Sequence, residues 1–178
     1  TAPAPFDLRT IAARTVLGLP GPRFVVVAPA AEAERARSEL LRHATAASFD
    51  VWRWLTIRAG VAVITTSTQD AFVAQTTNWD ILQGIDFQKG CYTGQEIIAR
   101  TQYLGRLKER AYLFHVGIDD VRAGERLYSV AYGDQPCGTV VDAARAPDGG
   151  CDLIAVLQVS AAERGDPHLR APDGPALT

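Results

Sequence analysis

The stretch Leu153-Ile154-Ala155-Val156-Leu157-Gln158-Val159 is a nearly continuous apolar run of strand length. Three shorter runs with the same β-like texture precede it, at residues 111–116, 126–130 and 137–141. Turn signals separate the runs, including Tyr132-Gly133-Asp134 and Pro147-Asp148-Gly149-Gly150. Short strands at this regular spacing are typical of small all-β units, so the chain after Gly105 is predicted to form an antiparallel β-barrel or sandwich.

The part of the chain before Gly105 has a mixed pattern. Strands are predicted at residues 14–17 and 24–27, the second of them buried. Pro29 is predicted to begin a helix that continues to Leu41. Its apolar residues recur on one side, which predicts that this side faces the core; they are Ala33, Ala36, Leu40 and Leu41.

Residues 49–58 alternate imperfectly and are rich in Trp and β-branched residues, which predicts a strand that Gly60 ends. Asn78 is predicted to cap a short helix over residues 79–82. The expected fold class is therefore α+β, with a small α/β sandwich layer followed by an antiparallel β-barrel. We place the domain boundary near residues 103–108, so that the two predicted units are residues 1–104 and 105–178.

Composition excludes several classes of protein. The 178 residues are 47% hydrophobic and carry a formal net charge of -2, which argues against a protein that mainly coats nucleic acid or an anionic membrane. No apolar run approaches the roughly 18 residues of a membrane span, and no signal peptide is visible. The absence of Met predicts a processed product or a piece of something longer. We expect a cytoplasmic location, with Cys91, Cys137 and Cys151 reduced.

Cys91 is the most informative residue for function. It lies between two glycines, two residues after Lys89, and Thr93 with Glu96 forms a capping-box signature for a helix that begins there. An ammonium group and a helix N-terminus would both stabilise a thiolate at Cys91. The alternative is a tight connection in which the cysteine packs as a small hydrophobic residue.

The string Lys89-Gly90-Cys91-Tyr92-Thr93-Gly94-Gln95-Glu96 resembles the K-G-C-Y-x-G-Q-E signature of the YgfZ family, folate-binding proteins implicated in making or repairing iron–sulfur clusters. The segments 72–78 and 99–105 resemble the flanking F-x-P-Q-x-x-N and A-R-x-x-Y-x-G patterns of that family. The chain departs from the patterns at Ala74, where Pro is usual, and at Arg58, where relatives often have an acidic residue.

The resemblance implies the C-terminal part of an aminomethyltransferase-like fold, related to the glycine-cleavage T-protein. It implies tetrahydrofolate as cofactor, with much of its pocket outside this chain, and iron–sulfur proteins or cluster-assembly factors as partners. Cys91 is the expected reactive thiol and Lys89 its electrostatic support. The resemblance further implies folate-binding roles for Tyr92, Gln95 and Arg100. The residues with expected structural roles are Gly90, Thr93, Gly94, Glu96 and Asn78.

Two other functions stay open at this stage. One is a tetrahydrofolate-dependent one-carbon transferase of the T-protein kind, so whether the protein is an enzyme is undecided. The other is a structural or adaptor domain in which the motif only fixes a turn.

Some further residues have both a functional and a structural interpretation. Arg100, Arg106, Lys108 and Arg110 could meet folate glutamates or RNA phosphates, but a solvated face is the preferred interpretation. The strand prediction places Trp52 and Trp54 on one face, more often core than ligand platform. His115 is expected to be structural, although a Cys91–His115 dyad is an alternative.

Overall fold

The computed structural model describes residues 3–178, in which two antiparallel sheets and four short α-helices form. The first sheet contains β1 (Leu8–Ile11), β2 (Arg14–Leu19) and β3 (Arg23–Val27) in that order. Helix α1 (Ala33–Leu40) follows after a single 3-10 turn. The predicted strands at residues 14–17 and 24–27 and the helix after Pro29 are confirmed, whereas β1 was not predicted.

The predicted burial of this N-terminal part is wrong. Phe24, Val26 and Val27 of β3 and Leu40 of α1 are exposed, and Ala36 is the buried residue of α1. No further layer of the described chain covers these apolar side chains.

The second sheet has five strands in the order β4-β7-β6-β5-β8. Its strands are β4 (Glu109–Val116), β5 (Arg126–Ser129), β6 (Gly138–Arg145), β7 (Cys151–Gln158) and β8 (Pro167–Leu169), with α4 (Val159–Ala162) between the last two. The four β-like runs therefore form strands as predicted. A bulge at Val141 shifts the register of β6 against β7.

Both faces of this sheet are buried along β7. Leu153, Ala155 and Leu157 lie in the core on one face, with Val140 of β6. Ile154 and Val156 lie on the other face, where they pack with Ile57 from helix α2. A strand that is buried on both sides has no polar face, which explains the continuous apolar run from which the fold was predicted.

Helix α2 (Phe49–Arg58) replaces the strand predicted over the same residues, and that prediction is wrong. The helix is needed to cover the second face of the five-stranded sheet, and it turns Arg53, Trp54 and Ile57 toward that face. This is a helical spacing, in which positions i, i+1 and i+4 share a side. Gly60 follows with a φ of 74°, so the predicted break at Gly60 is confirmed.

The sheet curls into a half-barrel. Its edge strands are linked by the C-terminal tail, in which Leu177 N donates to Pro167 O of β8 at 2.9 Å and Thr178 N donates to His115 O of β4 at 3.0 Å. The predicted barrel is therefore confirmed only as a curled antiparallel sheet. The division at residues 104 and 105 stays a prediction, and α2 packs directly on β6 and β7.

The segment between α2 and β4 is largely irregular and ends in helix α3 (Gln95–Tyr103), none of whose residues is buried. Residues 79–82 form turns, so the short helix predicted after Asn78 is absent. Asn78 has a φ of 64°, and its side chain donates to Ala111 O at 2.8 Å instead of capping a helix. No helix within residues 3–178 has the length and apolarity needed to span a bilayer.

Candidate functional site

The residues of the 89–96 motif lie in a surface loop and in the first turn of α3. Asp86 Oδ1 accepts from the backbone N–H groups of Gln88 at 2.8 Å and Lys89 at 3.2 Å, which folds the chain into an Asx turn just before the motif. Gly94 then adopts a φ of 86° at the N-cap, a conformation that suits glycine. The loop is thus fixed at both ends by local backbone chemistry.

The capping box predicted from Thr93 and Glu96 does not form. Helix α3 begins at Gln95, so Gly94 and not Thr93 occupies the N-cap. Glycine has no side-chain oxygen, so it cannot cap the helix as Thr93 was predicted to do. The side chain of Gln95 turns back instead, and its Oε1 accepts from Tyr92 N at 3.3 Å.

Cys91 differs from the other two cysteines in exposure. All three are free, and Cys91 is exposed whereas Cys137 and Cys151 are buried in the sheet. Burial raises the pKa of both the Cys137 and the Cys151 thiol, which disfavours their reactive thiolate forms. The interpretation of Cys91 as a packed hydrophobic residue is therefore wrong, and that of the other two as structural residues is consistent with their burial.

Lys89 lies close to Tyr92 within the loop. Its Nζ sits 5.2 Å from the centroid of the Tyr92 ring, which is within cation–π range. This contact, together with the Gln95–Tyr92 hydrogen bond, brings three of the predicted residues together in the loop that contains Cys91. The electrostatic support of Cys91 by Lys89 stays a prediction.

Gln75 attaches α3 to the segment that precedes the motif. The side chain is fully buried, and its Nε2 donates to Ile98 O in α3 at 2.6 Å. Its Oε1 is buried and has no hydrogen-bond partner among the described residues. Gln75 belongs to the 72–78 pattern quoted above, yet the sequence alone assigned it no role.

Arg110 at the start of β4 binds both Gln75 and Asp80, in the segment that precedes the motif. Its two Nη atoms donate to the Asp80 carboxylate at 2.7 and 2.9 Å, and Nη1 also donates to Gln75 O at 2.9 Å. Burial acts to raise the pKa of the Asp80 carboxyl, but the hydrogen bonds and charge of Arg110 outweigh it and hold that pKa below its ordinary value. The grouping of Arg110 with free surface cations is therefore wrong.

The other cations of that group remain at the surface. Arg100, Arg106 and Lys108 are exposed, and no carboxylate within residues 3–178 pairs with any of them. They follow the motif along α3 and the connection to β4.

His115 belongs to a different cluster, on the face of the sheet that α2 covers. Its Nδ1 lies 2.8 Å from Asp152 Oδ1, and Trp54 Nε1 donates to Asp152 Oδ2 at 2.8 Å. Arg58 Nη1 lies 3.6 Å from the same carboxylate. His115 thus has a structural partner, as expected. Trp54 and Trp52 do not share a strand face, since Trp52 instead packs under Arg23 at 5.1 Å.

The residues that sequence reasoning missed are those with distant partners. Asp80 and Asp152 each meet an arginine far away in the chain, and no local pattern marks such a pair. Asp86 could have been found, because an Asp shortly before a glycine-rich loop is a recognised turn signal. Within residues 3–178, no group of His, Cys, Asp or Glu side chains is arranged to hold a metal ion.

Comparison with known proteins gives one consistent result. No family model matches the chain. Proteins named tRNA-modifying protein YgfZ are similar to it in Serratia proteamaculans at 37% identity, in Edwardsiella ictaluri at 35% and in Yersinia pestis at 36%. Each match covers 141 residues, 78% of this chain but 43% of the relative. The chain therefore belongs to the YgfZ family and corresponds to less than half the length of these members.

Proposed function

We propose that the chain is part of a folate-linked accessory protein that maintains iron–sulfur enzymes, including enzymes that modify tRNA, with Cys91 as its reactive thiol. The observation that carries the proposal is the exposure of Cys91 in the 89–96 loop while Cys137 and Cys151 are buried. The name of the relatives supports tRNA modification as the process that the whole protein serves. Because this chain matches only part of those relatives, the activity is proposed for the whole protein.

The surroundings of Cys91 support a partner-facing thiol. Helix α3 has no buried residue, and Ile97, Tyr103 and Leu104 are at least 60% exposed. Apolar side chains at this exposure, beside an accessible cysteine, favour docking of another protein over the loop. We propose that this partner is an iron–sulfur protein or a cluster-assembly factor.

Tetrahydrofolate fits the residues present only in part. Arg100 offers an exposed cation for folate glutamates, and Tyr92 and Gln95 offer a ring and an amide beside the thiol. At the position of the family's acidic residue, however, Arg58 lies 3.6 Å from Asp152, and that carboxylate already accepts from Trp54. Among the described residues, no free carboxylate is available there for a pterin, so we assign pterin binding to the rest of the whole protein.

A complementation experiment tests the role of the thiol. Cells that lack the whole protein would receive it as wild type, as Cys91→Ala or as Cys137→Ala, and tRNA modification and the activity of an iron–sulfur enzyme would be measured. We expect Cys91→Ala to lose rescue of both, and Cys137→Ala, matched in chemistry but buried, to retain it. Full rescue by Cys91→Ala would contradict the proposal.

An alkylation experiment on the purified chain tests the activation of the thiol. We expect iodoacetamide to modify Cys91 at least about tenfold faster than the two buried cysteines. Lys89→Ala should slow the reaction at neutral pH, whereas Lys108→Ala, which removes the only other lysine, should not. Equal rates for both lysine variants would remove Lys89 from the proposed site.

Direct contact with tRNA is a second candidate function, favoured by the exposed cations Arg100, Arg106 and Lys108 and by the name of the relatives. Exchange of all three for Glu in the whole protein should weaken tRNA binding and flatten its salt dependence. If the affinity for tRNA and its dependence on salt concentration are both unchanged, this surface does not contact RNA.

A further inference from the structure

A small apolar cavity lies where β2, β3 and α2 meet the turns at residues 79–82. Its volume is about 320 Å³, which is within the range of small-molecule sites. Two indoles, those of Trp52 and Trp79, line it together with Phe6, Val61 and Leu82. The cavity shares none of its lining residues with the 89–96 loop.

Arg23 places a charge in the wall of this cavity. The residue is 5% exposed, yet no carboxylate within residues 3–178 lies at ion-pair distance from its guanidinium. Its Nε donates to Pro20 O at 3.0 Å and its Nη1 to Thr56 Oγ1 at 2.5 Å. Both acceptors are neutral, and the third contact is the Trp52 ring, 5.1 Å from the guanidinium carbon.

A buried guanidinium without a counter-charge is unfavourable. Burial lowers the pKa of Arg23, which is the direction expected when a cation loses water without gaining an anion. A guanidinium carries five N–H donors, and those beyond the bonds to Pro20 and Thr56 have no acceptor among the described residues. Buried charges in proteins are as a rule paired, so a guanidinium in this position suits an anionic ligand.

The second indole is held in place by backbone packing. Gly84 N donates to Trp79 O at 2.7 Å, and a Cβ at Gly84 would lie 2.2 Å from Trp79 Cε3. The absence of a side chain at Gly84 therefore lets the Trp79 ring take this position. Two fixed rings beside one cation make a site that suits a flat molecule with one acidic group.

We propose that this cavity binds a planar aromatic carboxylate, whose carboxylate pairs with Arg23 while its ring packs between Trp52 and Trp79. A carboxylate matches the planar fork of a guanidinium and accepts two of its free donors. The inference does not rest on the proposed function, because it uses neither Cys91 nor folate.

A pair of probes tests the charge requirement on the wild-type chain. Titration calorimetry would compare 2-naphthoate with 2-naphthamide, which has the same ring and a neutral head. Since a charged hydrogen-bonded pair contributes far more than a neutral one, we expect 2-naphthoate to bind at least about tenfold more tightly. Equal affinities, or no binding of 2-naphthoate up to its solubility limit, would overturn the proposal.

Three variants then assign the site. Arg23→Gln, which keeps a donor toward Thr56, should abolish the preference for 2-naphthoate. Trp79→Leu should weaken both probes and keep the preference. Trp54→Phe alters an indole that binds Asp152 outside the cavity. It should change neither the affinity of the two probes nor the preference for 2-naphthoate.

Circular dichroism would establish that each variant is folded. Preference for 2-naphthoate that survives in a folded Arg23→Gln chain would contradict the assignment. So would a Trp79→Leu chain that binds both probes as tightly as wild type. If Arg23→Gln does not fold, the wild-type comparison and Trp79→Leu still decide the question.

Discussion

Arg110 connects three parts of the chain through one side chain. It binds the Asp80 carboxylate with two donors, Gln75 O with one of the same nitrogens, and Asn78 Oδ1 at 3.3 Å. Gln75 in turn binds Ile98 of α3. The helix that follows the Cys91 loop is therefore tied to β4 through this chain of contacts rather than through an apolar core.

Replacement of Arg110 should destabilise this region. Arg110→Gln leaves the Asp80 carboxylate, whose side chain is 13% exposed, without its counter-charge. We expect the free energy of unfolding in urea to fall by about 2 kcal/mol or more. Arg106→Gln, at an exposed and unpaired position nearby, should change it by less than about 0.5 kcal/mol. A similar small effect for both variants would show that Arg110 contributes no more than a surface cation.

The Asp80–Arg110 pair also predicts a dependence on pH. Because the folded pKa of Asp80 is depressed, its contribution is fully present above the unfolded pKa of about 3.9 and is lost as pH falls through the folded pKa. The difference in unfolding free energy between wild type and Asp80→Asn should be constant near neutral pH and shrink below about pH 4. Urea unfolding at a series of pH values measures it, and a difference that does not shrink would contradict the pairing.

The environments of individual residues could be predicted from the sequence only in part. The special setting of Cys91 was predicted from its glycines and its lysine, and its exposure agrees with the reactive interpretation. Arg110 was assigned to a solvated surface because the sequence shows that a residue is charged but not which residue it contacts in the fold. Its partner lies 30 positions away.

Helix α2 is the element that sequence reasoning misassigned. Its Trp and β-branched residues favour strands by composition, and its alternation is imperfect because the face toward the sheet recurs at helical spacing. Ser48 at the N-cap, Asp50 in the first turn and Gly60 after the end are helix signals that could have corrected the prediction. The decisive cause is tertiary, since the apolar face of β6 and β7 opposite the main core would be exposed without α2.

The bond between α2 and β7 gives an element-scale prediction. Trp54→Phe keeps the ring but removes the N–H that binds Asp152. We expect a loss of about 1 kcal/mol in unfolding free energy, because His115 and Arg58 still contact the carboxylate. Phe49→Leu, at a position 72% exposed in the same helix, is the control and should be near neutral. Thermal unfolding of both variants would show the difference, and equal midpoints would assign Trp54 no such role.

The whole molecule is organised by the five-stranded sheet and its closure. Four of its strands were predicted because apolar runs of strand length and turn chemistry are local properties. Strand β8 was not, because it has three residues and begins at a proline that marks a turn. The partial closure by the C-terminal tail depends on contacts between distant strands, so the barrel was predicted more complete than it is.

Closure of the half-barrel should contribute measurably to stability. Leu177 in the tail is 5% exposed and packs in the sheet core. Leu177→Ala should lower the unfolding free energy by about 2–4 kcal/mol, the range for buried leucine. Leu104→Ala, at a position 85% exposed, is the matched control and should have little effect. If the two variants are equally stable, the tail is not part of the core.

The burial of β7 on both faces has a consequence for amide hydrogen exchange. Its N–H groups are bonded between β4 and β6 beneath side chains on either side, so they should exchange with solvent only when the whole sheet opens. The amides of α3, which has no buried residue, should exchange through local opening at a far lower free energy. The loop that presents Cys91 can therefore change conformation while the sheet behind it stays closed.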